Sequence, residues 1–125
     1  QYFGISKKDL KTIINKTIFS VAVDDSRPIL KGVLFDIENN TLNAIALYGY
    51  RLAKVKKTFV SYLNMSIVIP AKSLSEISRL LDDSEEIINV YVDNNTLMVD
   101  FGDTNLTTRL LEGDFVNYKQ IIAAN

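Results

Sequence analysis

By residue type, three pairs of adjacent carboxylates are the groups best suited to chemistry: Asp24-Asp25, Asp82-Asp83 and Glu85-Glu86. Paired carboxylates can pass protons or hold Mg²⁺. Their placement argues for something simpler. Adjacent side chains on a strand point to opposite faces, and all three pairs fall where the chain reads as loop or helix end, so solvated loops account for them. The run from Asp93 to Asp103 lacks the central Gly and closing Glu of a calcium loop. Cys and His are absent. That removes disulfides, thiolate nucleophiles, the usual zinc sites and the commonest general base near neutral pH. Glycine-rich phosphate loops are missing as well. No catalytic residue, metal or cofactor is expected.

The cations form a second set. Lys7, Lys8, Lys11 and Lys16 crowd one segment against a single Asp9, and Lys72 and Arg79 stand in another with Glu76 between them. Helix lysines are ordinarily just solvated. Lys54, Lys56 and Lys57 read as an exposed basic strand end. The formal net charge is −1, so any contact with nucleic acid must come from a local basic face.

The elements that carry these residues read as one domain, as suits 125 residues. No stretch approaches the roughly 20 apolar residues of a membrane span. The chain opens at Gln1 with neither Met nor a signal peptide, as an excerpt of a longer protein would. The Asn-x-Ser/Thr triplets at Asn15, Asn39, Asn64, Asn94 and Asn105 read as by-products of Asn-rich turns.

From Ser6 to about Ser20 the apolar residues Leu10, Ile13, Ile14 and Ile18, with Thr17, recur at helical spacing. Ser6 is the expected N-cap, with Asp9 three residues on. Asp24 to Pro28 reads as a loop. From Ile29 the period becomes two: Val33, Phe35 and Ile37 alternate with Leu34, Asp36 and Glu38. Asn39-Asn40 makes a turn, a strand follows from Leu42 to about Tyr48, and after Gly49 another runs from Tyr50 to about Phe59. The order then recurs. Ile67-Val68-Ile69 is a short strand, and Pro70 opens a helix with Leu74, Ile77, Leu80 and Leu81 as its apolar stripe. Strands begin at Ile88 and Leu97 around the turn at Asn94-Asn95, and a third covers Leu106 to Leu111. The tetrapeptide Asn-Asn-Thr-Leu occurs at the same point of both copies. The reading is strand, helix and three-stranded meander, twice, with halves at about 1–63 and 64–125. Neither half can bury its apolar face alone, so the expected architecture is α+β, helices side by side on antiparallel sheet with a pseudo-two-fold axis.

"RPILKGVLFDIENNTLNAIALYGYRLA", "IVIPAKSLSEISRLL" and "LLEGDFVNYKQII" resemble, in that order, the middle domain of the bacterial DNA polymerase III beta subunit, the sliding-clamp family. The resemblance runs from about Tyr2 to the C-terminus. It implies the DNA-clamp (processivity) fold and one clamp domain over 1–125. Three such domains form a subunit, and two subunits close head to tail around duplex DNA in the bacterial cytoplasm, at the nucleoid. No catalysis and no cofactor are implied. The helices would line the hole, which makes Lys7, Lys8, Lys11, Lys16, Lys72 and Arg79 the DNA-facing set. A second surface would bind short peptides of DNA polymerase III, the clamp loader and repair polymerases. Its share here would be Leu30, Leu47, Gly49, Tyr50, Arg51, Leu52, Ile122 and Ala123, the rest of the pocket coming from the next domain. The sequence departs from the family where many clamps read Thr-Asp-Gly-His-Arg-Leu-Ala: Leu47, Tyr48 and Tyr50 replace the Thr, Asp and His, and Ala123 stands where Pro is common. The excerpt alone should be a monomer. The alternative is a stand-alone peptide-binding adaptor with no DNA role; it needs neither a basic helix face nor neighbouring domains. For the leucines, the plain alternative is ordinary core.

Overall fold

The computed structural model describes residues 1–21, 27–49, 51–59, 61 and 63–124. Strand β1 (Tyr2–Ser6) leads into helix α1 (Lys7–Thr17). The Ser6 hydroxyl accepts the Asp9 N–H at 3.1 Å, the expected cap. Two further donors of the first turn, the Lys7 and Lys8 N–H groups, bond the carbonyls of Glu86 and Ser84 at 2.9 and 3.0 Å. The first turn thus leaves none of these three donors bare. Expected to run to about Ser20, the helix tightens instead into a 3₁₀ turn over Ile18–Ser20.

Pro28 opens another 3₁₀ turn, Pro28–Lys31, so the strand anticipated from Ile29 starts at Gly32. Strands β2 (Gly32–Glu38), β3 (Thr41–Tyr48) and β4 (Arg51–Thr58) form the first meander. Strand β5 (Met65–Pro70), helix α2 (Ala71–Arg79) and strands β6 (Ile87–Asp93), β7 (Thr96–Asp100) and β8 (Asn105–Arg109) repeat the order. Asn39, Asn40 and Asn94 all have positive φ, as tight turns between antiparallel strands require. A last helix, α3 (Tyr118–Ala124), had no counterpart in the sequence reading.

All strand pairs are antiparallel, and the two sheets run β1-β6-β7-β8 and β4-β3-β2-β5. Each meander is therefore completed by the opening strand of the other copy: β1 lies on β6, with Tyr2 opposite Tyr91, and β5 lies on β2, with Gly32 opposite Pro70. Helices α1 and α2 pack side by side, joined near their C-terminal ends by a 3.0 Å bond from the Ser78 hydroxyl to Asn15 Oδ1. One core lies between sheets and helices, with Phe3, Ile13, Ile14, Phe35, Leu74, Ile77 and Leu97 among its members. The stripe of α2 is Leu74, Ile77 and Leu81; Leu80, placed on it by the sequence reading, is 48% exposed. At 100° per residue Leu80 lies about a third of a turn away from Leu74.

Alternation on β2 sends Val33, Phe35 and Ile37 to this core and Leu34 and Asp36 to the opposite face. There a smaller cluster forms from Leu34, Ile45, Val68 and Tyr118, with Ile29, Leu52, Leu111 and Phe115 against it. No helix among the described residues is long and apolar enough to cross a membrane.

Candidate peptide surface and basic helix face

The hairpin between β3 and β4 sets the first candidate surface. Its ladder ends with Leu47 opposite Leu52 and Tyr48 opposite Arg51, and Gly49 follows β3 directly. Gly49 has φ +59°, and a Cβ there would meet nothing within 4 Å. The glycine answers a backbone requirement rather than a crowded site. The Arg51 guanidinium lies 5.7 Å from the centre of the Tyr48 ring, a cation–π contact on an exposed tip. Tyr50 lies outside the described residues, as do Asp24 and Asp25, and the side chain of Ala123 is likewise not described.

Leu47 and Leu52 are half-buried, and Leu52 packs against the outer cluster that contains Tyr118. Ile122 is 38% exposed and follows Tyr118 by one helical turn on α3. Leu52 of the hairpin and Tyr118 of the C-terminal helix thus share one cluster on one face of the β4-β3-β2-β5 sheet. Leu30 differs from the others. It is 1% exposed within its 3₁₀ turn, which packs against β2 and β3, and so offers almost no surface to a ligand.

Residues 111–117 cross the outer face of the sheet as a strap. The Leu111 N–H bonds the Val68 carbonyl at 2.9 Å. Tyr118, 5% exposed, donates its hydroxyl to Asp36 Oδ2 at 2.6 Å, and Ser66 donates to the other carboxylate oxygen at 2.9 Å. Burial and the Asp36 carboxylate push the Tyr118 phenol above its ordinary range, so it stays a donor. Asn117 Oδ1 accepts the Gln120 N–H at 3.4 Å, an N-cap pattern. A recess of about 380 Å³ opens between strap and sheet, lined among others by Leu34, Asp36, Val68, Phe115 and Tyr118. The sequence reading missed Tyr118, Asp36 and Ser66, since nothing local links positions so far apart.

The second candidate surface is the helix pair. Its cations are not equivalent. Lys7 pairs with Glu86 at 2.9 Å and is largely buried; Lys8 and Lys11 sit 3.7 Å from Glu85 and Asp83. The Glu86 carboxylate raises the Lys7 ammonium above its ordinary value. Asp82 is lowered, first by the Ser84 N–H that bonds it. The acidic pairs of the 82–86 loop thus serve as partners of α1 lysines. Lys16, Lys72 and Arg79 are exposed and pair with no carboxylate among the described residues.

Comparison with known proteins follows the same lines. Residues 4–117 match the family "DNA polymerase III beta subunit, central domain". The beta sliding clamp of Buchnera aphidicola subsp. Rhopalosiphum padi is 36% identical over 121 residues, which is 96% of this chain and 33% of that protein. Among solved structures, a DNA polymerase III beta subunit of Eubacterium rectale superposes with a TM-score of 0.94 at 31% identity, over 100% of this chain and 34% of the other. The DNA polymerase sliding clamp of Bacillus subtilis gives 0.91 at 29% identity, over 97% and 32%. The chain spans about a third of the length of the relatives it matches.

Proposed function

The chain belongs to the DNA polymerase III beta subunit family, matching its central domain, and on that premise we propose that it serves as a non-catalytic part of a sliding clamp. In this reading 1–125 is one clamp domain of two halves, about 1–63 and 64–125. It combines with further domains of the kind into a homodimeric ring in the bacterial cytoplasm. The ring encircles duplex DNA and tethers the replicative polymerase by topology. Its partners are duplex DNA, the neighbouring clamp domains, and the polymerase, clamp loader and repair polymerases through short clamp-binding peptides.

The observation that carries the reading is the separation of two surfaces on opposite faces of one sheet. On one side lie paired helices with exposed Lys16, Lys72 and Arg79; on the other, hairpin, strap and α3 converge. A ring must pass DNA through its middle while its partners hold its outside, and this domain offers a face for each.

The test is an NMR titration of the labelled chain with a Gln-x-x-Leu-x-Phe peptide. Shifts are expected at Gly49, Arg51, Leu52 and Ile122, with a Kd of about 1 mM, or about −4 kcal/mol, since half a pocket buries half a ligand. Absence of localised shifts at several millimolar peptide would sink the pocket.

DNA binding should be weak and steeply salt-dependent. Three unpaired cations on phosphates give a slope of about −3 in log K against log salt. The Asp83→Asn, Glu85→Gln variant frees Lys8 and Lys11, which should tighten binding and steepen the slope to about −4.5. Fluorescence anisotropy with a short duplex between 20 and 150 mM salt, both rough working limits at which screening changes strongly, reads both. An unchanged slope would mean that these lysines do not face the duplex.

A further inference from the structure

We infer that Tyr118, through its hydrogen bond to Asp36, is the positioning residue that holds α3, and with it Ile122, in place as a wall of the peptide surface. The inference rests on the pocket reading above and goes beyond it, since neither Tyr118 nor Asp36 belongs to the peptide-contacting set.

Helix α3 has seven residues, far below the ~12–15 at which an isolated helix is even marginal in water. It therefore needs anchors from outside itself. Between the Leu111 N–H bond to Val68 and the Tyr118 ring, residues 112–117 make no backbone hydrogen bond to the sheet among the described residues. Within that stretch Phe115 packs against the outer cluster, beside the recess of about 380 Å³. The strap is thus held by the Leu111 N–H bond and by the packed side chains of Phe115 and Tyr118.

Of these ties, Tyr118 is the one that belongs to α3. Its ring is buried among Leu34, Ile45 and Val68, and its hydroxyl reaches Asp36 at 2.6 Å. A charge-assisted bond of this length is among the stronger kinds. The Ser66 hydroxyl, at 2.9 Å from the other oxygen, fixes the carboxylate from the far side. Another contact from this end of α3 to the sheet is the surface pair of Lys119 and Glu38 at 3.9 Å, where solvent screens it. Tyr118 and Ile122 are one turn apart on the same side of α3. Fixing the first fixes the second relative to Leu52, which shares the Tyr118 cluster.

Two readouts on two variants test this. Tyr118→Phe keeps the ring and deletes the bond; Asp36→Asn keeps an acceptor but removes its charge. Amide exchange at Gln120 to Ile122 should quicken about tenfold in Tyr118→Phe, as loss of a bond to a charged group implies. Peptide affinity should fall about fivefold, because a wall in place for a smaller fraction of the time lowers apparent affinity by that fraction. Asp36→Asn should lie between Tyr118→Phe and the parent in both. Faster exchange with unchanged affinity overturns the inference, leaving a mere fastening. Unchanged exchange overturns it outright. If Tyr118→Phe proves unfolded, Asp36→Asn decides by the same two readouts. Failure of the pocket reading looks different: the unsubstituted chain then binds no peptide at all, and the positioning role falls with it.

Discussion

Cut between Leu63 and Asn64, the chain is expected to give two fragments that are unfolded alone and fold when mixed. The reason is the exchange of opening strands. Fragment 1–63 would keep β1 but lose β6, the neighbour of β1 in its sheet, and would bare the edge of β2 that β5 covers. The core is shared in the same way. Phe3, Ile5, Ile13 and Phe35 come from one side of the cut, and Ile69, Leu74, Ile88 and Leu97 from the other. Fragments of about 60 residues are marginal to begin with, and each of these also loses half of a shared core. Mixing restores every pairing, at the cost of an association term that makes the midpoint depend on concentration. Circular dichroism on each fragment and on the equimolar mixture measures this. A cooperative thermal transition in either fragment alone would refute the expectation.

Gly32→Ala should cost about 3 kcal/mol, the upper part of the range for overpacking, and lower Tm by about 10 °C for a domain of this size. Backbone strain is not the cause. Gly32 has φ −130° and ψ 177°, which any residue adopts. The difficulty is room. A Cβ there would lie 2.6 Å from the Ile69 carbonyl oxygen and 2.8 Å from both Leu111 Cδ1 and Val68 Cγ1. The two side chains can shift; the carbonyl belongs to β5, paired along β2, and cannot move without the ladder. Gly49→Ala makes the contrast, with open space but a left-handed backbone, and about 1 kcal/mol is expected from that conformation alone. Thermal or urea unfolding compares the two. Equal costs would show that the Gly32 contact relaxes.

What the sequence disclosed depended on distance along the chain. Helix α1 with its Ser6 cap, the period-two strand from Val33 to Ile37 and the Asn turns are local patterns, and they were legible. The paired halves could be read from element order. The exchange between them could not, because the partners of β1 and β5 lie in the other copy and nothing near Tyr2 points to Tyr91. Helix α3 is too short for its period to register. Leu80 was misassigned because Leu81 beside it belongs to the stripe and one residue is 100° of rotation. At the sites, the sequence showed Gly49 between two strands but not the pairing of Leu47 with Leu52 and Tyr48 with Arg51. Leu30 and Ile122 came from family resemblance alone. The loop carboxylates were legible as charges, but their lysine partners appear only once the turn before β6 folds back on α1.

The exchange of opening strands also sets a clock. β1 is near the beginning of the chain, yet it finds its neighbour only when β6 exists, with Tyr2 against Tyr91. Long-range antiparallel pairings of this kind raise contact order, and folding slows as contact order rises. During synthesis the first meander ends at Thr58, and β5, which covers its open side, is complete only at Pro70; a strand edge left bare meanwhile invites pairing with other chains. The interval is bounded by translation, at about 5–20 residues per second, so an unfinished edge stays exposed for roughly seconds at a time. Synonymous slowing of translation after Thr58 should lengthen that interval and increase aggregation without altering a single native contact.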